Sequence, residues 1–149
     1  MRRVTVFATL ALLTMGLLQT AQAATPDDAI KYRKAVMSTL SGHISALMMI
    51  HGGKVEHQEA LLGHAEALAA GAAQAGKMFP TGSGTGKTDA LPLIWEDAAG
   101  FAKAADAGTA ATAALRDAIK SGDKAAIGRS LKPVFDSCKG CHDRFRKEG

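Results

Sequence analysis

The chain has 149 residues and carries 18 Lys and Arg against 14 Asp and Glu, a net charge of +4. Two of those basic residues, Arg2 and Arg3, lie in a segment read below as cleaved; without them the surplus is +2, too small to indicate a nucleic-acid partner. Abundant alanine, few β-branched residues and 5% aromatics favour helix, and no alternating strand pattern competes.

The N-terminus has the three parts of a secretory signal peptide. Arg2 and Arg3 form a basic n-region, Val4 to Leu18 is apolar and uncharged, and Ala21-Gln22-Ala23 is a small-x-small cleavage site. The predicted division is residues 1–23, a cleaved signal peptide, and residues 24–149, one mature domain. The apolar run falls short of the roughly 20 residues that a membrane-spanning helix needs. No later segment is long and apolar enough, so no membrane span is expected in the mature form.

Four amphipathic stripes follow. Thr25 is a candidate N-cap, Pro26 suits the first helical position, and Asp27 and Asp28 complement the positive end of a helix. That helix carries Ile30, Arg33, Met37, Leu40, Ile44 and Leu47 on one stripe and ends at Gly52-Gly53. The second stripe is Leu61, Ala65, Leu68, Ala72, Ala75 and Phe79, stopped by Pro80. The third begins near Pro92 and runs from Ile94 through Phe101, Ala105, Gly108, Thr112 and Leu115 to Ile119. The fourth is Ile127, Leu131, Val134, Cys138, Cys141 and Phe145, and Pro133 is expected to bend or split it. Two short connections and one of about a dozen residues predict an all-α fold: an antiparallel up-down-up-down four-helix bundle. That topology places the start of the first helix, the long connection and the end of the fourth helix at one end.

The long connection contains Thr81-Gly82-Ser83-Gly84-Thr85-Gly86-Lys87-Thr88, which ends as a P-loop does. A P-loop needs glycine five positions before its Gly-Lys-Thr and joins a strand to a helix. Here that position is Thr81 and the preceding element is helical. The stretch reads as a flexible connection, not a nucleotide site.

The chemistry concentrates at Cys138-Lys139-Gly140-Cys141-His142, the Cys-x-x-Cys-His attachment signal for haem c. Two thiols at this spacing add to the two porphyrin vinyl groups, and the adjacent imidazole reaches the iron. On a helix the three side chains fall within an arc of about 100°. A thioredoxin-like redox pair expects a βαβ context, which is absent. A zinc site would have to recruit two of the scattered His43, His51, His57 and His64. A disulfide at this spacing within one helix would brace almost nothing. Copper handling by those histidines with Met48 and Met49 is the weaker reading beside solvated surface positions.

Arg33 sits on an apolar stripe, where it either pairs with a haem propionate or snorkels to solvent. Met37, one turn later, is either core filler or a contact on the iron face opposite His142. Phe79, Trp95, Phe101, Phe135 and Phe145 are core or haem-packing residues. No hydrolytic constellation is evident, so a non-enzymatic protein is expected.

At these residues the sequence resembles the class II c-type cytochromes, the cytochrome c′ family of bacterial periplasmic four-helix-bundle haem proteins. The matching stretches are Tyr32-Arg33-Lys34 with Met37, Phe79-Pro80 before the glycine-rich loop, Ile94-Trp95, and the Cys138–His142 motif followed by Phe145-Arg146. The resemblance implies one haem c covalently held by Cys138 and Cys141, with His142 as proximal iron ligand. It implies Met37 on the distal side, Arg33 by the propionates, and Arg146 as a basic residue near the proximal face. It also implies a periplasmic location, redox partner proteins and a possible homodimer. Low-spin members use a methionine as sixth ligand and carry electrons; high-spin members bind nitric oxide and carbon monoxide. Met37 and the Phe79-Pro80 loop favour the low-spin branch, with gas binding as the alternative.

Overall fold

A computed structural model describes residues 25–148. The predicted signal peptide and its cleavage site lie outside the described residues. Helix α1 spans Pro26–His51, and Thr25 caps it by accepting a hydrogen bond from the Asp28 amide. The Thr25 hydroxyl in turn donates to the Asp28 carboxylate at 2.6 Å, so cap and first turn satisfy each other. Helix α2 spans Leu61–Ala72, preceded by a 3-10 turn at Gln58–Ala60 and followed by another at Ala75–Lys77. The stripe expected to run to Phe79 therefore stops being α-helical at Ala72. A short helix α3, Leu93–Glu96, is separated from α4, Ala98–Ser121, by Asp97. The Asp97 carboxylate accepts from the Gly100 amide and starts α4 afresh.

Helix α5 spans Lys124–Phe145 with Pro133 inside it, and it is not split. Proline at this position removes one hydrogen bond, the one to the Arg129 carbonyl. Both residues lie on the exposed side, where water can take that carbonyl.

The long helices pack in chain order, α1 on α2, α2 on α4 and α4 on α5, the predicted all-α four-helix bundle. At one end the bundle is closed by an aliphatic core: Leu47 and Ile50 from α1, Leu68 from α2, Leu115 from α4, and Leu131 and Val134 from α5. Leu115 and Val134 have no exposed surface at all. The other end holds a smaller, largely aromatic cluster of Ile94, Phe101 and Phe145, with Phe79 and Trp95 packed against it.

The long connection belongs to that second end, as the topology requires. Its Gly82 approaches Pro26, and its last residues are stitched to the end of α5. The Leu91 amide donates to the Phe145 carbonyl at 3.0 Å, and the Lys147 amide donates to the Asp89 carbonyl at 2.8 Å.

Candidate functional site

Between α1 and α5, at the aromatic end, lies a cavity of about 520 Å³. Small residues make the room. Ala104, Ala105, Gly108 and Thr112 on α4 form its floor, whereas further along the same helix, toward the closed end, stand the larger Leu115 and Ile119. Phe79, Phe101 and Phe145 form its back wall as edge-to-face rings, with centroids 4.9 Å and 5.3 Å apart. A second groove of about 670 Å³ lies behind Phe79 and Phe101 and has no cysteine or histidine in its lining.

Cys138, Cys141 and His142 all line the first cavity from α5, as one helical face predicts. Both thiols are free; Cys138 is exposed at the cavity edge and Cys141 is half-buried. Burial pushes both thiols above their ordinary pKa. A hydrogen bond from Ser137 opposes the rise at Cys138; at Cys141 the neighbouring Cys138 adds to it and Arg144 opposes it. A redox-active cysteine pair has a lowered pKa, so these thiols move away from thioredoxin-like chemistry. His142 is held below its ordinary value by burial and by the charge of Arg146, with Asp143 opposing. Its imidazole is therefore neutral near pH 7, as an iron ligand must be.

Met37 lines the same cavity from α1, half-buried, together with Leu40 and Ile44. Phe79 and Arg146 also line it, while Trp95 stands outside and donates from its indole nitrogen to the Phe79 carbonyl at 3.1 Å. Phe135 is at the cavity edge and 43% exposed, so it is no core residue.

Arg33 is 3% exposed and does not snorkel. One guanidinium nitrogen donates to Ser83 Oγ at 2.8 Å; the other donates to the Ser83 carbonyl at 2.7 Å and to Thr88 Oγ1. Its guanidinium lies 4.8 Å from the Phe79 ring centroid. The loop expected to be flexible is therefore pinned: Ser83 has no exposed surface, and Thr88 is buried. Gly86, at φ +91°, takes a backbone conformation that side chains disfavour. Gly84 lets the Trp95 ring approach closely: a Cβ there would lie 2.7 Å from it. The P-loop-like letters are thus turn and packing residues built around an arginine. Sequence reading missed Ser83 and Thr88 as partners because they stand 50 and 55 positions from Arg33.

Arg33 has no carboxylate within ion-pair distance among the described residues, so its buried charge is met only by neutral oxygens and a ring face. Burial lowers its pKa. These residues fit a haem: two thiols and a neutral imidazole on one wall, a thioether on another, aromatic backing, and uncompensated positive charge at the loop end.

The comparisons agree. A family model described as Cytochrome C′ matches residues 28–146. A cytochrome c′ of Rhodospirillum rubrum is 34% identical over 149 residues, spanning 99% of this chain and 100% of its own. The crystal structure of cytochrome c′ from Rubrivivax gelatinosus matches with a TM-score of 0.78 at 32% identity, over 85% of this chain and 100% of that one. The nitric oxide complex of a cytochrome c prime variant from Alcaligenes xylosoxidans matches with a TM-score of 0.78 at 29% identity, over 86% of this chain and 100% of that one. The chain belongs to the cytochrome c′ family.

Proposed function

We propose that the protein is an exported, periplasmic electron carrier that holds one haem c and is not an enzyme. The observation that carries this reading is that Cys138, Cys141 and His142 line one wall of a cavity whose α1 wall presents Met37. Haem c would supply a one-electron iron couple there. The Cys138 and Cys141 thiols would hold it by thioether bonds, each formed by addition to a vinyl group. His142 offers a neutral nitrogen from α5, and Met37 offers a thioether from α1. Arg33 and Arg146 place positive charge where carboxylates of the cofactor can be matched. Phe79, Phe101 and Phe145 keep water from the interior side and lower the local dielectric. Other redox proteins are the partner class; among the described residues no helix is long and apolar enough to cross a membrane.

Absorption spectra of the purified ferric and ferrous protein test the axial assignment. Low-spin spectra are expected, and Met37→Ala converts them to five-coordinate or water-ligated ones and speeds carbon monoxide binding to the ferrous form. Haem staining after denaturing electrophoresis tests attachment. Either Cys138→Ala or Cys141→Ala weakens the stained band and the double change removes it; a stained double variant would sink the assignment.

A second reading has its own support. The solved structures similar to this chain include a nitric oxide complex, and a gas could occupy the Met37 side of the cavity. A high-spin unmutated protein that takes up nitric oxide readily makes Met37 a lid and gas binding the function.

A further inference from the structure

The α1–α2 seam carries two side chains that the cavity does not use. His43 on α1 and His64 on α2 are both half-buried, and their Nδ1 atoms stand 3.0 Å apart. The ring centroids are 5.3 Å apart and the ring planes meet at 53°. The seam around them is fixed on both sides. Gln58 Nε2 donates to the Ile50 carbonyl at 3.2 Å on one side, and Tyr32 Oη donates to Gln74 Oε1 at 3.0 Å on the other.

We propose that His43 and His64 form a two-nitrogen site for a divalent transition-metal ion of the imidazole-preferring class, such as Zn2+, Ni2+ or Cu2+. Two facing Nδ1 atoms share one proton at most as a neutral pair, one ring donating and the other accepting. An ion at about 2.0–2.1 Å from each nitrogen in tetrahedral geometry sets the nitrogens about 3.3–3.4 Å apart. The observed 3.0 Å needs an opening of only a few tenths of an ångström, within the range of small side-chain rotations. Binding uses the lone pairs of both Nδ1 atoms and moves the donor ring's proton to its own Nε2, so the pair stays neutral and releases no proton.

Among the described residues no third His, Cys, Asp or Glu completes a cluster, so water fills the other coordination positions. The site is therefore open and reversible, and affinity rises from Zn2+ to Cu2+. Mg2+, which seeks oxygen ligands, is excluded by the donor set. A bound ion ties α1 to α2 about 9 Å along the helix from Met37.

The experiment uses the haem-loaded mature protein without an affinity tag, titrated with ZnCl2 by calorimetry and melted with and without Zn2+. One ion per chain and a raised Tm are expected, and MgCl2 gives neither. His43→Gln and His64→Gln, which keep a polar group at the seam, each weaken Zn2+ binding by about tenfold or more and remove the Tm shift. Helicity by far-UV circular dichroism confirms that both variants fold. A His51→Ala/His57→Ala variant binds like the unmodified protein. Binding that survives both glutamine changes, binding lost only in the His51/His57 variant, or no binding at millimolar Zn2+ would each overturn the proposal and leave the contact as an inter-helix hydrogen bond.

Discussion

The two ends of this bundle solve opposite problems with the same four helices. At the closed end, Leu47, Leu115 and Val134 interdigitate until almost no surface is left exposed. At the other end α4 presents alanine, glycine and threonine, and α1 and α5 are kept apart around a 520 Å³ cavity. An open apolar hollow of that size forgoes dispersion contacts and tight packing. The closed end therefore holds the helices in register, while the open end relies on polar ties: Arg33 into the loop, the Asp89–Leu91 segment onto the end of α5, and Arg144 to Asp97 at 2.9 Å. Stability and binding room are separated along one axis.

The sharpest way to break this comparison is to remove bulk from the closed end. Leu115→Ala leaves a hole among residues that cannot collapse onto one another and is expected to cost about 3–5 kcal/mol of unfolding free energy. Denaturant unfolding measures it, and the visible spectrum of the folded variant should be unchanged. A cost below about 1 kcal/mol would mean that the closed end does not anchor the bundle.

Arg33→Met tests the polar ties at the open end. The change keeps a long apolar stem but removes the donors to Ser83 Oγ, the Ser83 carbonyl and Thr88 Oγ1. Ser83 Oγ still donates to the Pro80 carbonyl at 2.8 Å, and Thr88 Oγ1 still accepts from the Ala90 amide at 3.1 Å. The loss is therefore partial, about 1–3 kcal/mol. Amide hydrogen exchange should rise across residues 81–88 and stay unchanged around Leu115. Unchanged exchange in the loop would show that the arginine is not what pins it.

The same contrast explains what the sequence disclosed. The closed end was legible because burying an apolar stripe needs only helical periodicity, and Leu47, Leu115 and Val134 lie on the predicted stripes. The Cys138–His142 motif was legible because its spacing is local and chemically specific. The aromatic end was half legible. Ala105, Gly108 and Thr112 interrupt the third stripe with small residues, and small residues in register across from a haem motif signal space for a flat ligand. The loop was not legible, because its order comes from an arginine 50 residues away and from the close approach of Trp95 to Gly84. The breaks at Ala72 and Asp97 were also hidden: apolar periodicity carries across them, and only backbone hydrogen bonding ends the helices.

The smallest effect expected concerns the start of α1, which enters the bundle beside the loop. The Asp28 carboxylate is held below its ordinary pKa first by the Thr25 hydroxyl and then by the charge of Lys31, with slight desolvation opposing. A carboxyl group whose folded pKa is depressed binds its proton less readily in the folded state than in the unfolded one. Its contribution is complete above the unfolded value and is lost as the pH falls through the folded one. Asp28→Asn cannot titrate, so it should lower neutral-pH stability slightly and flatten the acid limb below about pH 4, so that the two stability curves converge in acid. Unfolding measured across pH 3 to 7 compares the two proteins. Parallel acid limbs would show that the Asp28 carboxylate contributes nothing to the pH dependence of stability at the open end.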